Sequence, residues 1–116
     1  MEFKIHDKVY FCPVELTLDT IGGKWKVLII WQLLHGMKRY GELRKLLPKV
    51  THKMLTQQLR ELEEDKIIER KVYAVVPPKV EYSLAKRGHE LAPVLDTMAQ
   101  WADGYKVVVV EQGAEV

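Results

Sequence analysis

One stretch constrains this chain more than any other: Thr51 to Glu64, which reads THKMLTQQLRELEE. Leu55, Leu59 and Leu62 recur at i, i+4 and i+7, the spacing that lines up one face of an α-helix. Lys53, Gln57 and Arg60 fall on the opposite face, with His52 and Thr56 flanking it towards the N-terminal end. Thr51 is placed to cap the helix, because its hydroxyl can accept from an otherwise unpaired first-turn N–H. Pro48 lies three residues before Thr51, and the residue before a proline avoids the α region. Any preceding helix must therefore end there. Gly41 to Leu47 reads as such a helix, with Leu43, Leu46 and Leu47 inward. Two helices joined only by Pro48-Lys49-Val50 make a helix-turn-helix candidate.

The charge order along the first stretch is unusual. Its outward face is basic and amide-rich at the start and acidic at Glu63-Glu64-Asp65. A surface helix gains from acid at its N-terminus and base at its C-terminus, so this order opposes the dipole. It makes sense where the N-terminal half meets an anion, and Lys, Arg and Gln are side chains that read base edges in a DNA major groove. An ordinary solvated face is an equally weighted reading of the helix taken alone.

The elements around it set the context. Residues 1–11 show no clear period and read as an arm or short helix. Pro13 to Thr20 reads as a helix opened by Cys12-Pro13 and broken at Gly22-Gly23. Lys24 to Leu34 is apolar around nearly its whole circumference, which predicts a centrally buried helix with Trp25 and Trp31 as core residues. Gly36 stops it, and Met37 to Tyr40 is short, basic and extended.

After the amphipathic helix, Ile67 to Val76 and Val80 to Leu84 read as two strands around Pro77-Pro78. This is a β-hairpin wing whose Arg70, Lys71 and Lys79 are candidates for phosphate contacts, or ordinary solubilising charges. Lys86 to Gly104 is the last helix, with Leu91, Val94, Leu95, Met98 and Trp101 at helical spacing. Pro93 kinks it or marks its start. Its apolar stripe either seals a dimer or covers the core. Val107 to Val110 is apolar and β-prone, with no assigned place.

Composition excludes several function classes. The chain has 116 residues, the size of one domain, and a net charge of only +2, so nucleic-acid affinity must come from a local patch. A single cysteine, Cys12, forbids an intrachain disulfide and a cysteine-based metal site within one chain, which fits a reducing cytoplasm. No signal peptide is visible at the start, and the apolar run Val27 to Trp31 is too short to span a bilayer. His6, His35, His52 and His89 lack metal-ligand spacing, and no Ser/His/Asp arrangement forms a catalytic motif. No catalytic residue, metal or cofactor is expected.

Taken together, the order of elements outlines a winged helix-turn-helix: α+β, mainly helical, with a two-stranded hairpin wing and dimerising terminal helices. The chain resembles the HxlR family of bacterial transcription regulators. The residues that carry the resemblance are Cys12-Pro13-Val14, Gly22-Gly23-Lys24-Trp25, Lys38 to Leu43, Lys53 to Asp65, Arg70, Pro77 to Leu84, Gly88 and Trp101. It runs from Cys12 to about Gly104, within a single domain over residues 1–116 that has an arm at 1–11 and a tail at 105–116. The resemblance implies a cytoplasmic homodimer that binds double-stranded DNA at a pseudo-palindromic operator.

In that reading Thr51, His52, Lys53, Thr56, Gln57 and Arg60 belong to the recognition helix, and Arg39, Tyr40, Arg70, Lys71 and Lys79 meet the DNA backbone. Many members of the family sense quinones, electrophiles or oxidants. Cys12 lies just before a helix N-terminus, where the dipole favours a thiolate, so it is a sensor candidate. An unreactive, partly buried cysteine is the competing reading. The competing function is a winged helix that binds a protein partner and no specific DNA. Three departures from the family pattern stand out. Lys66 replaces a glycine after the recognition helix, His52 a small residue or proline, and Ala85 a threonine before the last helix.

Overall fold

The computed structural model describes residues 2–5 and 7–105. Val107 to Val110 and the rest of the tail beyond Tyr105 lie outside the described residues. The elements run β1 (Phe3–Ile5), β2 (Lys8–Tyr10), α1 (Pro13–Ile21), α2 (Trp25–Leu33), β3 (Lys38–Arg39), α3 (Tyr40–Leu46), α4 (His52–Glu64), β4 (Ile68–Tyr73), β5 (Lys79–Leu84), α5 (Lys86–His89) and α6 (Ala92–Asp103).

The core is built on α4. Leu55, Leu59 and Leu62 are buried, as their spacing predicts, and they join Ile29, Ile30 and Leu33 of α2 with Leu43, Leu47 and Val50 from the helix-turn-helix. Trp25, Val27, Leu28, Trp31 and Leu34 pack against this cluster only partly buried, so α2 is central but not enclosed on all sides. Leu46 departs from expectation: it is 44% exposed. In a helix as short as Tyr40–Leu46, Leu43 and the C-terminal Leu47 already fill the inward face.

Both ends of α4 are closed by local chemistry. Thr51 Oγ1 accepts from the Met54 N–H at 3.0 Å, which is the expected cap. At the other end Ile67 N–H donates to Leu62 O at 2.9 Å and Lys66 N–H to Glu63 O at 3.0 Å. This is a Schellman closure, with Leu62 and Ile67 buried beneath it. Lys66 occupies its left-handed position at φ 61°, where a Cβ is unfavourable. Lys66→Gly is therefore expected to stabilise the fold by about 0.5–1 kcal/mol, the strain relieved exceeding the entropy that glycine adds to the unfolded chain. A thermal melt that moves downward would refute this account of Lys66.

The wing is a hairpin, β4 with β5, antiparallel, pairing Arg70 with Tyr82, Lys71 with Glu81 and Tyr73 with Lys79. A third strand joins it: β3 pairs with β5 through Lys38 with Tyr82 and Arg39 with Glu81, giving the order β3-β5-β4. The extended segment before α3 is thus stitched to the wing. α5 then packs close, since a Cβ on Gly88 would lie 2.3 Å from Ile67 O.

The two termini correct the sequence reading. Residues 1–11 contain a small antiparallel hairpin, with Lys4 opposite Val9, rather than an arm or short helix. It is held to α1 by Asp19, which accepts from Tyr10 Oη at 2.6 Å and Lys8 Nζ at 3.0 Å. The final helix is two pieces, and Pro93 sits in the first turn of the longer one, α6. Ala85, at the N-cap of α5, makes no side-chain cap, as its replacement of threonine implies. No helix among the described residues is long and apolar enough to cross a membrane.

Candidate nucleic-acid interface

The outward face of α4 is built by the same periodicity that buries its leucines. Burying Leu55, Leu59 and Leu62 forces Lys53, Gln57 and Arg60 outward, and all three are exposed. His52, Lys53, Thr56, Gln57 and Arg60 border one shallow recess together with Glu61 and Glu64. Among the described residues Lys53 and Arg60 form no ion pair, so their charge is available to an anion.

The acidic half of the helix is handled by tertiary contacts. Lys26 of α2 pairs with Glu61 at 2.8 Å, and Arg70 of β4 pairs with Glu63 at 3.2 Å. The Lys26 ammonium, with help from the Gln57 amide, holds the Glu61 carboxyl below its ordinary range. Neither partner is visible from the helix sequence. The unfavourable acid near the C-terminal end is thus offset by cations from outside the helix.

Tyr40 and His52 are brought together at the entry of the helix. The Tyr40 hydroxyl is hydrogen-bonded to His52 Nδ1 and lies 3.3 Å from His52 O, with the rings edge to face at 5.2 Å. Tyr40 thereby ties the start of α3 to the start of α4. Beside it, Glu42 Oε1 accepts from the Arg39 N–H at 2.7 Å, leaving the Arg39 side chain exposed.

The wing cations are divided between two faces, because paired residues in an antiparallel sheet share a face and neighbours along a strand alternate. Arg70 and Tyr82 stand on one face and border a second recess with Thr56, Arg60 and Glu63 of α4. Arg39, Lys71 and Lys79 stand on the other, around Glu81. Lys79 Nζ is 3.6 Å from Glu81, and Tyr73 Oη donates to Glu81 at 2.7 Å. Lys71 and Lys79 also cover the Tyr73 ring at 4.9 and 4.6 Å. Glu81 is only 8% exposed, and the Tyr73 hydroxyl and Lys79 hold its carboxyl below the usual range. Sequence reasoning missed Glu81 and Tyr73. The signal available was one acidic residue directly across from Arg39 and Lys71, legible only once the register is known.

Cys12 borders neither of these recesses. It is exposed at the N-cap of α1, with an extended backbone and no side-chain cap, which removes the reading of a partly buried thiol. Its carbonyl accepts from Glu15 and Leu16 N–H in the first turn, and Phe11 N–H donates to Glu15 Oε1 at 2.7 Å.

Comparison with known proteins agrees with this geometry. The family model described as HxlR-like helix-turn-helix matches residues 20–109. The chain is 58% identical over 95 residues to the uncharacterized HTH-type transcriptional regulator YdeP of Bacillus subtilis (strain 168), covering 82% of this chain and 74% of that protein. Among solved structures it is similar to the redox regulator HypR. The oxidised form superposes with a TM-score of 0.78 at 50% identity, covering 84% of this chain and all of that one. The reduced form gives 0.79 at 49% identity, covering 83% and 95%. The matched span contains α2 through α6, with the outward row of α4 and the wing at its centre. With a helix-turn-helix, a basic outward helix face and a hairpin wing in the family's order, the chain belongs to the HxlR-like helix-turn-helix family of DNA-binding transcriptional regulators.

Proposed function

We propose that two copies of this chain bind a pseudo-palindromic operator in double-stranded DNA and regulate transcription in the cytoplasm, with Cys12 making the regulator responsive to oxidants or electrophiles. The observation that carries the reading is the exposed row Lys53, Gln57 and Arg60 on α4, rigidly backed by buried Leu55, Leu59 and Leu62. In the major groove this row and Thr56 meet base edges, with Thr51 and His52 at the entry. Arg39, Tyr40 and the wing residues Arg70, Lys71 and Lys79 meet phosphates, which set position and affinity but not sequence.

The homodimer is supported by apolar side chains that the terminal helices leave uncovered. Val14 and Leu18 of α1 are each 63% exposed, and Met98 and Trp101 of α6 are 51% and 71% exposed. Val14 with Leu18, and Met98 with Trp101, are neighbours on one face of their helix, and an exposed apolar face of this kind suits a protein partner. A two-fold dimer would place its recognition helices on half-sites about one helical turn apart. The redox part is supported by the exposure of Cys12 and by similarity to HypR, a redox regulator solved in oxidised and reduced forms. With one thiol per chain, the available chemistry is alkylation, a mixed disulfide with a small thiol, or a disulfide joining the two Cys12 of a dimer. The last requires Cα atoms within about 7 Å.

Fluorescence anisotropy at physiological salt tests both parts. The probes are the fragment upstream of the protein's own coding region and a shuffled fragment of equal length. Reduced protein is expected to prefer the former by roughly a thousandfold or more. Oxidation of the wild type is expected to weaken this preference, and oxidation of Cys12→Ser to leave it intact. Equal weak binding to both fragments favours a protein-binding winged helix instead. Loss on oxidation that survives in Cys12→Ser removes Cys12 as the sensor.

A further inference from the structure

Within the outward row of α4, one side chain has its hydrogen-bonding orientation already decided by the protein. Gln57 Nε2 donates to Glu61 Oε2 at 3.1 Å. Glu61 Oε1 is in turn paired with Lys26 Nζ at 2.8 Å, and the Lys26 side chain is only 13% exposed. A glutamate is ionised at neutral pH, the ammonium favours that form further, and an ionised carboxylate only accepts hydrogen bonds. The Gln57 amide must therefore turn its nitrogen towards Glu61, since the flipped amide would set its oxygen against a carboxylate oxygen. A solvated glutamine elsewhere on a helix samples both orientations. Here the Glu61 carboxylate, anchored by Lys26 of α2, selects between them. The groups left for a ligand are the Gln57 carbonyl oxygen and its second N–H.

We infer that the Lys26–Glu61–Gln57 chain presets Gln57 as a specificity-determining residue for adenine, with Lys26 and Glu61 as positioning residues that do not themselves touch the DNA. The major-groove edge of adenine offers one donor, N6–H, and one acceptor, N7, which complements the oxygen and N–H that Gln57 has left. Guanine offers two acceptors and would meet the fixed amide oxygen with a like group. Thymine offers an acceptor and a methyl group, and cytosine only a donor. The inference rests on the DNA-binding reading above and adds to it the base that Gln57 selects and the two residues that make it selective.

The test is selection of binding sites from a random duplex library, run on the full chain as wild type, Gln57→Ala, Glu61→Gln and Lys26→Met. Wild type is expected to enrich a motif with adenine at the position that Gln57→Ala makes degenerate. Glu61→Gln removes the charge that forces the amide orientation, and Lys26→Met removes the anchor. Each is expected to lower discrimination at that one position by roughly tenfold. The other positions, and the salt dependence that counts phosphate contacts, should stay as in the wild type. A merely structural salt bridge would behave differently, weakening binding to every sequence together and leaving the shape of the motif unchanged. If Lys26→Met fails to fold by circular dichroism, the near-isosteric Glu61→Gln decides alone. A wild-type motif whose Gln57 position stays sharp in the folded positioning variants overturns the inference while leaving DNA recognition intact. A base other than adenine there overturns the assignment, and a library that enriches no motif overturns both readings.

Discussion

Leu55→Ala is expected to destabilise the protein by about 2–5 kcal/mol. Leu55 is fully buried on the inner face of α4, where that helix meets α2 and β4. Removing its isobutyl group deletes the transfer free energy of the lost carbons and leaves a cavity walled by helices that relax only in part. Typical domains are stable by only about 5–15 kcal/mol, so one such change removes a large share of the total. Urea denaturation at fixed protein concentration checks it. The midpoint should fall with the slope unchanged, because the surface exposed on unfolding is nearly the same. A shift below about 0.5 kcal/mol would mean that the site collapses without a cavity, and that α4 is not the element on which the core is built.

Arg60→Ala should do the opposite. Arg60 is exposed and makes no ion pair among the described residues, so its loss should leave the urea midpoint within about 0.5 kcal/mol of wild type. On the preferred DNA site it should cost roughly 1–3 kcal/mol, or about 5- to 150-fold in Kd, because the arginine fork matches the two acceptors of guanine. On a shuffled duplex the loss should be much smaller. Anisotropy titrations of both duplexes at one salt concentration separate the cases. Equal losses on both would move Arg60 from base reading to phosphate holding. Together the two variants divide α4 into an inner face that sets stability and an outer face that sets recognition.

That division was legible from residue spacing. The positions of Leu55, Leu59 and Leu62 name the buried face, and Lys53, Gln57 and Arg60 follow as the exposed one. Thr51 announced its own cap, and Pro77-Pro78 announced the wing loop that separates β4 from β5. Lys66 was visible as a departure whose cost appears as a positive φ. The N-terminal hairpin was hidden because strands of three residues are too short to display a period, and its tie to Asp19 lies outside the segment. Leu46 was misplaced because helical spacing in a seven-residue helix allows several inward faces, and only its neighbours choose among them.

Sequence by itself determined the quantities that repeat along the chain: which face of α4 is apolar, where its cap lies, and where prolines and glycines end elements. These depend on atoms a few residues apart, and local backbone geometry relates them directly. Only the tertiary structure decided which charges meet. It set Lys26 against Glu61, Arg70 against Glu63, and Arg39, Lys71 and Lys79 around Glu81 on the far side of the wing from Arg70. Charge pairs act over a few ångströms of space whatever their separation in sequence, so their partners exist only once the chain has been folded back on itself.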